Sequence, residues 1–225
     1  MTTSDTAKLE VSEIARRLNE VGVPPALDGW QARLLIAVWR RLAQGTPISD
    51  DELTRLTKEA DVDPADGREF IGNMSEKDAN ENFVGVAGLS LNDYAHRFHV
   101  DGNSLTTWCA WDALFLPPAL RKSAIVESEA ADTGEQIRIE VDENGVQNVN
   151  IPDVSVSIVL LDPDTDQVES VEQIYMTFCH NVLFFASHEK AEEWAAEKPY
   201  QVAVLSIDEA FELGKQAFAS LLKHA

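Results

Sequence analysis

The sequence predicts an α+β protein. A helical, winged-helix-like N-terminal domain (residues 1–80) precedes a domain with a mainly antiparallel or mixed sheet core and flanking helices (residues 81–225). Three observations carry this reading. Apolar residues recur at helical spacing in the first third, short β-rich segments separated by turn signals fill the middle, and helix and strand patterns alternate in the last third.

Val11, Ile14, Ala15 and Leu18 mark the first helix. Asp28 is placed to cap a second, which carries Leu34, Leu35, Val38, Trp39 and Leu42 on one face and stops at Gly45. Ser49 with Glu52 three residues on is a capping box for a third helix running to about Ala60. Asp63-Pro64 opens a fourth. Such an arrangement invites a DNA-binding reading, but the last helix offers only Arg68 among Asp66, Glu69 and Glu76. A major-groove reader needs a basic stripe, so these helices are expected to pack on, or cover, the rest.

From Asn82 the pattern turns to β. Strands are expected at Phe83–Leu89, Ala95–Val100, Ser123–Ser128, Gln136–Val141, Val146–Ile151 and Val154–Leu161. Asp101-Gly102, Asp132-Thr133-Gly134, Glu143-Asn144-Gly145 and Asp162-Pro163-Asp164 supply the turns. Tyr175 to Ala186 is nearly continuous apolar sequence, and its period alone does not separate a core strand from a buried helix. Ser187 caps a helix through Trp194, Val202–Leu205 is a short strand, and Ser206 with Glu209 opens the last helix, whose face runs from Ala210 to Leu221.

The totals exclude several function classes. With 39 acidic and 18 basic residues the formal charge is −21, and such a surface repels nucleic acid and anionic lipid. No run of 18 or more apolar residues offers a membrane span. Met1 to Glu10 is polar and carries no secretory h-region, so a cytoplasmic protein is expected. Nucleotide-binding glycine motifs and the serine-hydrolase elbow are missing. His96 and His99, three apart in an expected strand, face opposite sides and share no metal. His188 and His224 are expected at the surface.

The two cysteines, Cys109 and Cys179, stand far apart in sequence and lack structural-zinc spacing. Taken alone they read as buried free thiols. Their surroundings suggest more. Cys109 lies three residues before Asp112 inside the run Thr106–Pro118, an apolar and aromatic place that is costly for a carboxylate without a partner. As a short helix, this run brings Cys109 and Asp112 onto one face, with Cβ atoms roughly 5–6 Å apart. Pro117 and Pro118 are then expected to stop the helix after about two turns, leaving Cys109 in the first turn, where a thiolate is favoured. A thiolate beside a carboxylate in a dry pocket can bind a soft metal and move a proton.

The segment Trp108-Cys109-Ala110-Trp111-Asp112 with Phe115, and the segment Phe178 to Ser187, resemble the two signature regions of the alkylmercury lyases. The likeness continues through Ala191–Trp194 and Asp208–Gly214. It implies cofactor-free cleavage of carbon–mercury bonds to a hydrocarbon and Hg(II). Cys109 and Cys179 then correspond to the mercury-ligating thiols and Asp112 to the proton carrier that completes the metal-binding set. The implied partners are an organomercurial, low-molecular-weight thiols needed for turnover, and a mercuric reductase accepting Hg(II). His180 and Ala130 stand where relatives commonly carry further cysteines. The chemistry agrees, because soft Hg(II) prefers thiolate ligands and the leaving carbon needs a proton in a water-poor pocket. Trp108 and Phe178 are expected either to line a cavity for the organic group or to pack the core. The alternatives are a non-catalytic carrier of Hg(II) or Cu(I), and a relative acting on another small molecule.

Overall fold

Helix formation in the first third follows the apolar spacing. In the computed structural model, which describes residues 9–162 and 170–225, α1 is Val11–Glu20, α2 Gly29–Leu42, α3 Asp50–Glu59 and α4 Pro64–Gly72. α1 buries Ile14, Ala15 and Leu18 and pairs Arg16 and Arg17 with Glu13 on its wet face. Asp28 starts α2 through a reciprocal capping box with Gln31. Ser49 accepts the Glu52 amide at 3.2 Å, but the Glu52 carboxylate turns to the Arg41 guanidinium, so the box expected there is half formed.

The strands pair antiparallel throughout. Eight form one sheet in the order β1 (Ser75–Lys77), β2 (Phe83–Val86), β3 (Leu89–Ser90), β5 (Asn103–Thr107), β4 (His96–Val100), β6 (Ala124–Glu129), β7 (Gln136–Val141) and β8 (Val146–Val149). The expected strand Phe83–Leu89 is two strands. Ala87 and Gly88 take positive φ values of 43° and 97° and fold the chain back, setting Val86 opposite Leu89. β1 and β5 were not foreseen, because both are short and polar. Asp101-Gly102 makes the expected hairpin, joining β4 to β5. A second sheet places β9 (Ser155–Val159), every residue of it buried, between β10 (Phe184–Phe185) and β11 (Val202–Ser206). Pro163 and Asp164, expected to turn the chain after β9, lie outside the described residues.

Two expectations about the central run are corrected. α5 (Asp112–Leu120) begins at Asp112, so Cys109 stands in the turn before it and not in its first turn. Pro117 and Pro118 lie inside α5 and do not end it. The helix survives two missing amides because all of its residues are buried, and tertiary packing outweighs the local penalty. It ends one turn later with Arg121 in the left-handed region (φ 55°), the Lys122 amide returning to the Pro117 carbonyl at 3.2 Å.

The apolar stretch left open by its period takes neither single form. It divides into α6 (Val171–Thr177), a 3-10 turn at Cys179–Asn181, and β10. α7 (His188–Ala196) follows its Ser187 cap, and α8 (Ile207–Ala217) opens with the reciprocal Ser206–Glu209 box. The last helix breaks at Phe218, giving a separate short α9 (Ala219–Leu222). α5 packs among α2, α8 and α9, and α1 lies along α8.

Candidate functional site

Cys109, Asp112 and Cys179 converge. One ligand atom from each, the two Sγ atoms and a carboxylate oxygen, lies within 4.8 Å of the others, and all three residues are buried. Long-range hydrogen bonds bring the segments together. The Ala110 amide donates to the Val182 carbonyl at 3.1 Å, tying the Cys109 turn to the Cys179 turn. Ser157 on β9 holds the latter from beneath: its hydroxyl donates to the Asn181 carbonyl at 2.8 Å and accepts the Leu183 amide at 3.0 Å. The Cys109 amide donates to Asp112 Oδ2 at 2.9 Å, so the carboxylate reaches back over the start of α5 to the cysteine.

Gly88 shapes the other side. A Cβ there would stand 2.7 Å from Asp112 Cγ, and its φ of 97° already disfavours any other residue. Its carbonyl accepts the Trp108 amide at 2.9 Å.

Burial raises all three acid groups and leaves the carboxyl the most acidic. It pushes the Asp112 carboxyl up to about 6, despite hydrogen bonds from Cys109 that favour its charged form. Burial also pushes the Cys109 thiol well above its ordinary value, with the Cys179 contact and the Asp112 charge adding to the rise. The contact with Cys109 lowers the Cys179 thiol, but burial and the Asp112 charge together outweigh it and raise that group as well. At neutral pH the trio therefore carries its negative charge on oxygen, poised to take a proton from either thiol.

A cavity of about 250 Å³ opens on Asp112 and Cys179 of this trio, with Trp108 and Phe178 also in its lining. Cys109 is fully buried and does not reach the lining. An aromatic floor continues under α5. Trp111 meets Phe178 at 6.1 Å between ring centres, and Phe115 stacks on Phe218 at 3.8 Å. The Trp111 indole is anchored on the Ala210 carbonyl at 3.0 Å. Residues of the loop Gly22–Leu27 and of α6 also line the cavity.

All five residues singled out from sequence thus meet in one place. The histidines do not join them. His96 is buried with Nδ1 2.8 Å from Ser128 Oγ, whereas His99 is half exposed beside Glu127. His180 is exposed, and Ala130 is buried. His188, expected at the surface, is half-buried with Nδ1 2.9 Å from Ser155 Oγ. The sequence reading missed Gly88 and the bond that the Trp108 indole donates to Glu76. Only Gly88 left a signal, as a glycine inside an apparent strand, which marks a bend or a close approach.

The alkylmercury lyase family model matches residues 89–219. An alkylmercury lyase of Staphylococcus epidermidis is 31% identical over 208 residues, covering 91% of this chain and 90% of that protein. One of Bacillus cereus is 32% identical over 211 residues (92% and 91%), and one of Pseudomonas putida is 33% identical over 198 residues (85% and 86%). In fold, the chain is similar to a solved structure, the mercury-bound form of MerB2. The TM-score is 0.71 at 20% identity, covering 95% of this chain and 98% of that one.

Proposed function

The chain belongs to the alkylmercury lyase family, and on that premise we propose that Cys109, Cys179 and Asp112 cleave carbon–mercury bonds by protonolysis. The carrying observation is the buried trio, in which a carboxylate of pKa about 6 stands within reach of two thiols of raised pKa. An organomercurial cation enters the apolar cavity and meets Cys179 first, the thiol on its lining. Asp112 accepts a thiol proton as sulfur binds the metal, and the second thiol completes a two-thiolate ligand set. Electron density from both sulfurs weakens the bond to carbon. Asp112 then delivers its proton to that carbon, which keeps the electron pair of the broken bond. The balance is one R–Hg⁺ and two thiols giving R–H, Hg(II) held by two thiolates, and one released proton. Mercury stays Hg(II) throughout, and no cofactor takes part.

Two small thiols exchange for the protein sulfurs to free the product, which a mercuric reductase can receive. No described helix is long and apolar enough to cross a membrane, and two unpaired cysteines suit a reducing cytoplasm. The helices read as an N-terminal domain supply part of the cavity wall through Leu35 and Trp39, in keeping with a covering role.

The test is hydrocarbon release from phenyl- or methylmercury with excess thiol, followed in the gas phase. Cys109→Ala, Cys179→Ala and Asp112→Ala are each expected to lower the rate by at least about 100-fold. Asp112→Asn is expected to keep Hg(II) bound while releasing no hydrocarbon. Normal product from the Cys179→Ala protein overturns the two-thiolate mechanism, and metal binding without hydrocarbon from the unaltered chain makes it a carrier.

A further inference from the structure

Resting on that carbon–mercury cleavage, we propose that Glu76 is a positioning residue: it holds the Trp108 indole as the wall against which the organic group of the substrate lies. Glu76 is half-buried on β1 and does not itself line the cavity. Its Oε2 accepts the Trp108 Nε1–H at 3.1 Å and the Ser90 hydroxyl at 2.6 Å, and its Oε1 accepts the Tyr94 hydroxyl. All three donors are neutral, and among the described residues no lysine or arginine pairs with this carboxylate. A carboxylate used in this way acts as an anchor for polar atoms on otherwise apolar rings.

The strand register makes room for it. Glu76 stands opposite Gly85, which in turn stands opposite Ser90. A Cβ on Gly85 would lie 1.9 Å from Glu76 Oε2, so the missing side chain is the slot that the carboxylate fills. Trp108 precedes Cys109 directly and lines the cavity beside Asp112 and Cys179. On the other flank the Tyr94 ring meets that of Tyr175 at 5.4 Å, four residues before Cys179. One carboxylate thus ties down rings that border both cysteine segments. Charge-assisted bonds are the stronger kind, and an indole N–H left unpaired at a buried wall carries a desolvation cost that favours another rotamer.

A flat aryl group rests on the indole, whereas a methyl group is too small to depend on it. Freeing the ring therefore weakens binding of the larger substrate selectively. The experiment compares the full chain with Glu76→Gln, Trp108→Phe and the double variant, using phenylmercury and methylmercury with excess thiol. Glu76→Gln is expected to lower the phenyl-to-methyl ratio of kcat/KM about tenfold, chiefly through KM. It is expected to add nothing in the Trp108→Phe background, because the anchor then has no indole to hold. If Glu76→Gln does not fold, Trp108→Phe alone must lower the same ratio. A second readout is independent of turnover: the indole ¹H–¹⁵N resonance that vanishes in Trp108→Phe is expected to shift in Glu76→Gln. Equal losses for both substrates, losses that add in the double variant, or an unmoved indole resonance overturn the proposal. If the unaltered chain releases no hydrocarbon, the reading of function fails, and the indole resonance still decides whether the anchor exists.

Discussion

Asp112 couples stability to its chemistry. Its ordinary carboxyl value of 3.8 rises to about 6 on folding, because burial disfavours the charged form. Between those values the folded chain keeps a proton that the unfolded chain has released. The contribution is therefore fully present below about pH 4 and is lost as pH rises through about 6. Asp112→Asn keeps an oxygen for the Cys109 amide and carries no charge. It is expected to be more stable than the parent at pH 7, by on the order of 2 kcal/mol, with the gap closing near pH 4. Denaturant titrations at the two pH values check this. His96 works in the opposite sense. Burial lowers it to about 4, so its contribution is present above its ordinary 6.5 and is lost as pH falls through 4. With Asp112 removed, that acid-side loss is expected to stand out more steeply. The residue types at the site were legible in the sequence: two cysteines, one of them three residues ahead of an aspartate in an apolar run. The upward shift of all three acid groups was not, since it depends on what surrounds each group.

Among the elements, α5 shows how local rules yield to burial. Sequence placed its stop at Pro117, but the helix runs to Leu120 because none of its faces meets water. Its closing residue Arg121 is exposed and held at φ 55°, a conformation that costs a side chain about 1 kcal/mol or more and costs glycine nothing comparable. Arg121→Gly is expected to raise the unfolding free energy by roughly 1 kcal/mol in a urea titration. An unchanged or lower midpoint argues against strain at this cap. Capped amphipathic helices such as α2 and α8 were readable because their signals lie within a few residues of one another. β1 and β5 were not, because short polar strands are strands only by virtue of their neighbours in the sheet.

Over the molecule as a whole, the charge of −21 opposes compaction. Raising NaCl from 0.1 to 1 M shortens the screening length from about 10 Å to 3 Å. The melting temperature is expected to rise across that range, and a fall in thermal scans argues that self-repulsion is not limiting.

By itself the sequence determined the α+β class, the capped helices, most hairpin turns and the chemical identity of Cys109, Asp112 and Cys179. Each of those is written in neighbouring residues: a period, a cap, a turn dipeptide, a motif. The tertiary structure alone decided that the Cys179 turn hangs from Ser157 and Ala110 beside Asp112, that Cys109 precedes α5, and that Gly85 leaves a slot for Glu76. The reason is physical. Sheet register and helix packing join residues tens of positions apart, and burial, which sets acidity and fixes each ring, exists only once those distant pairs have closed.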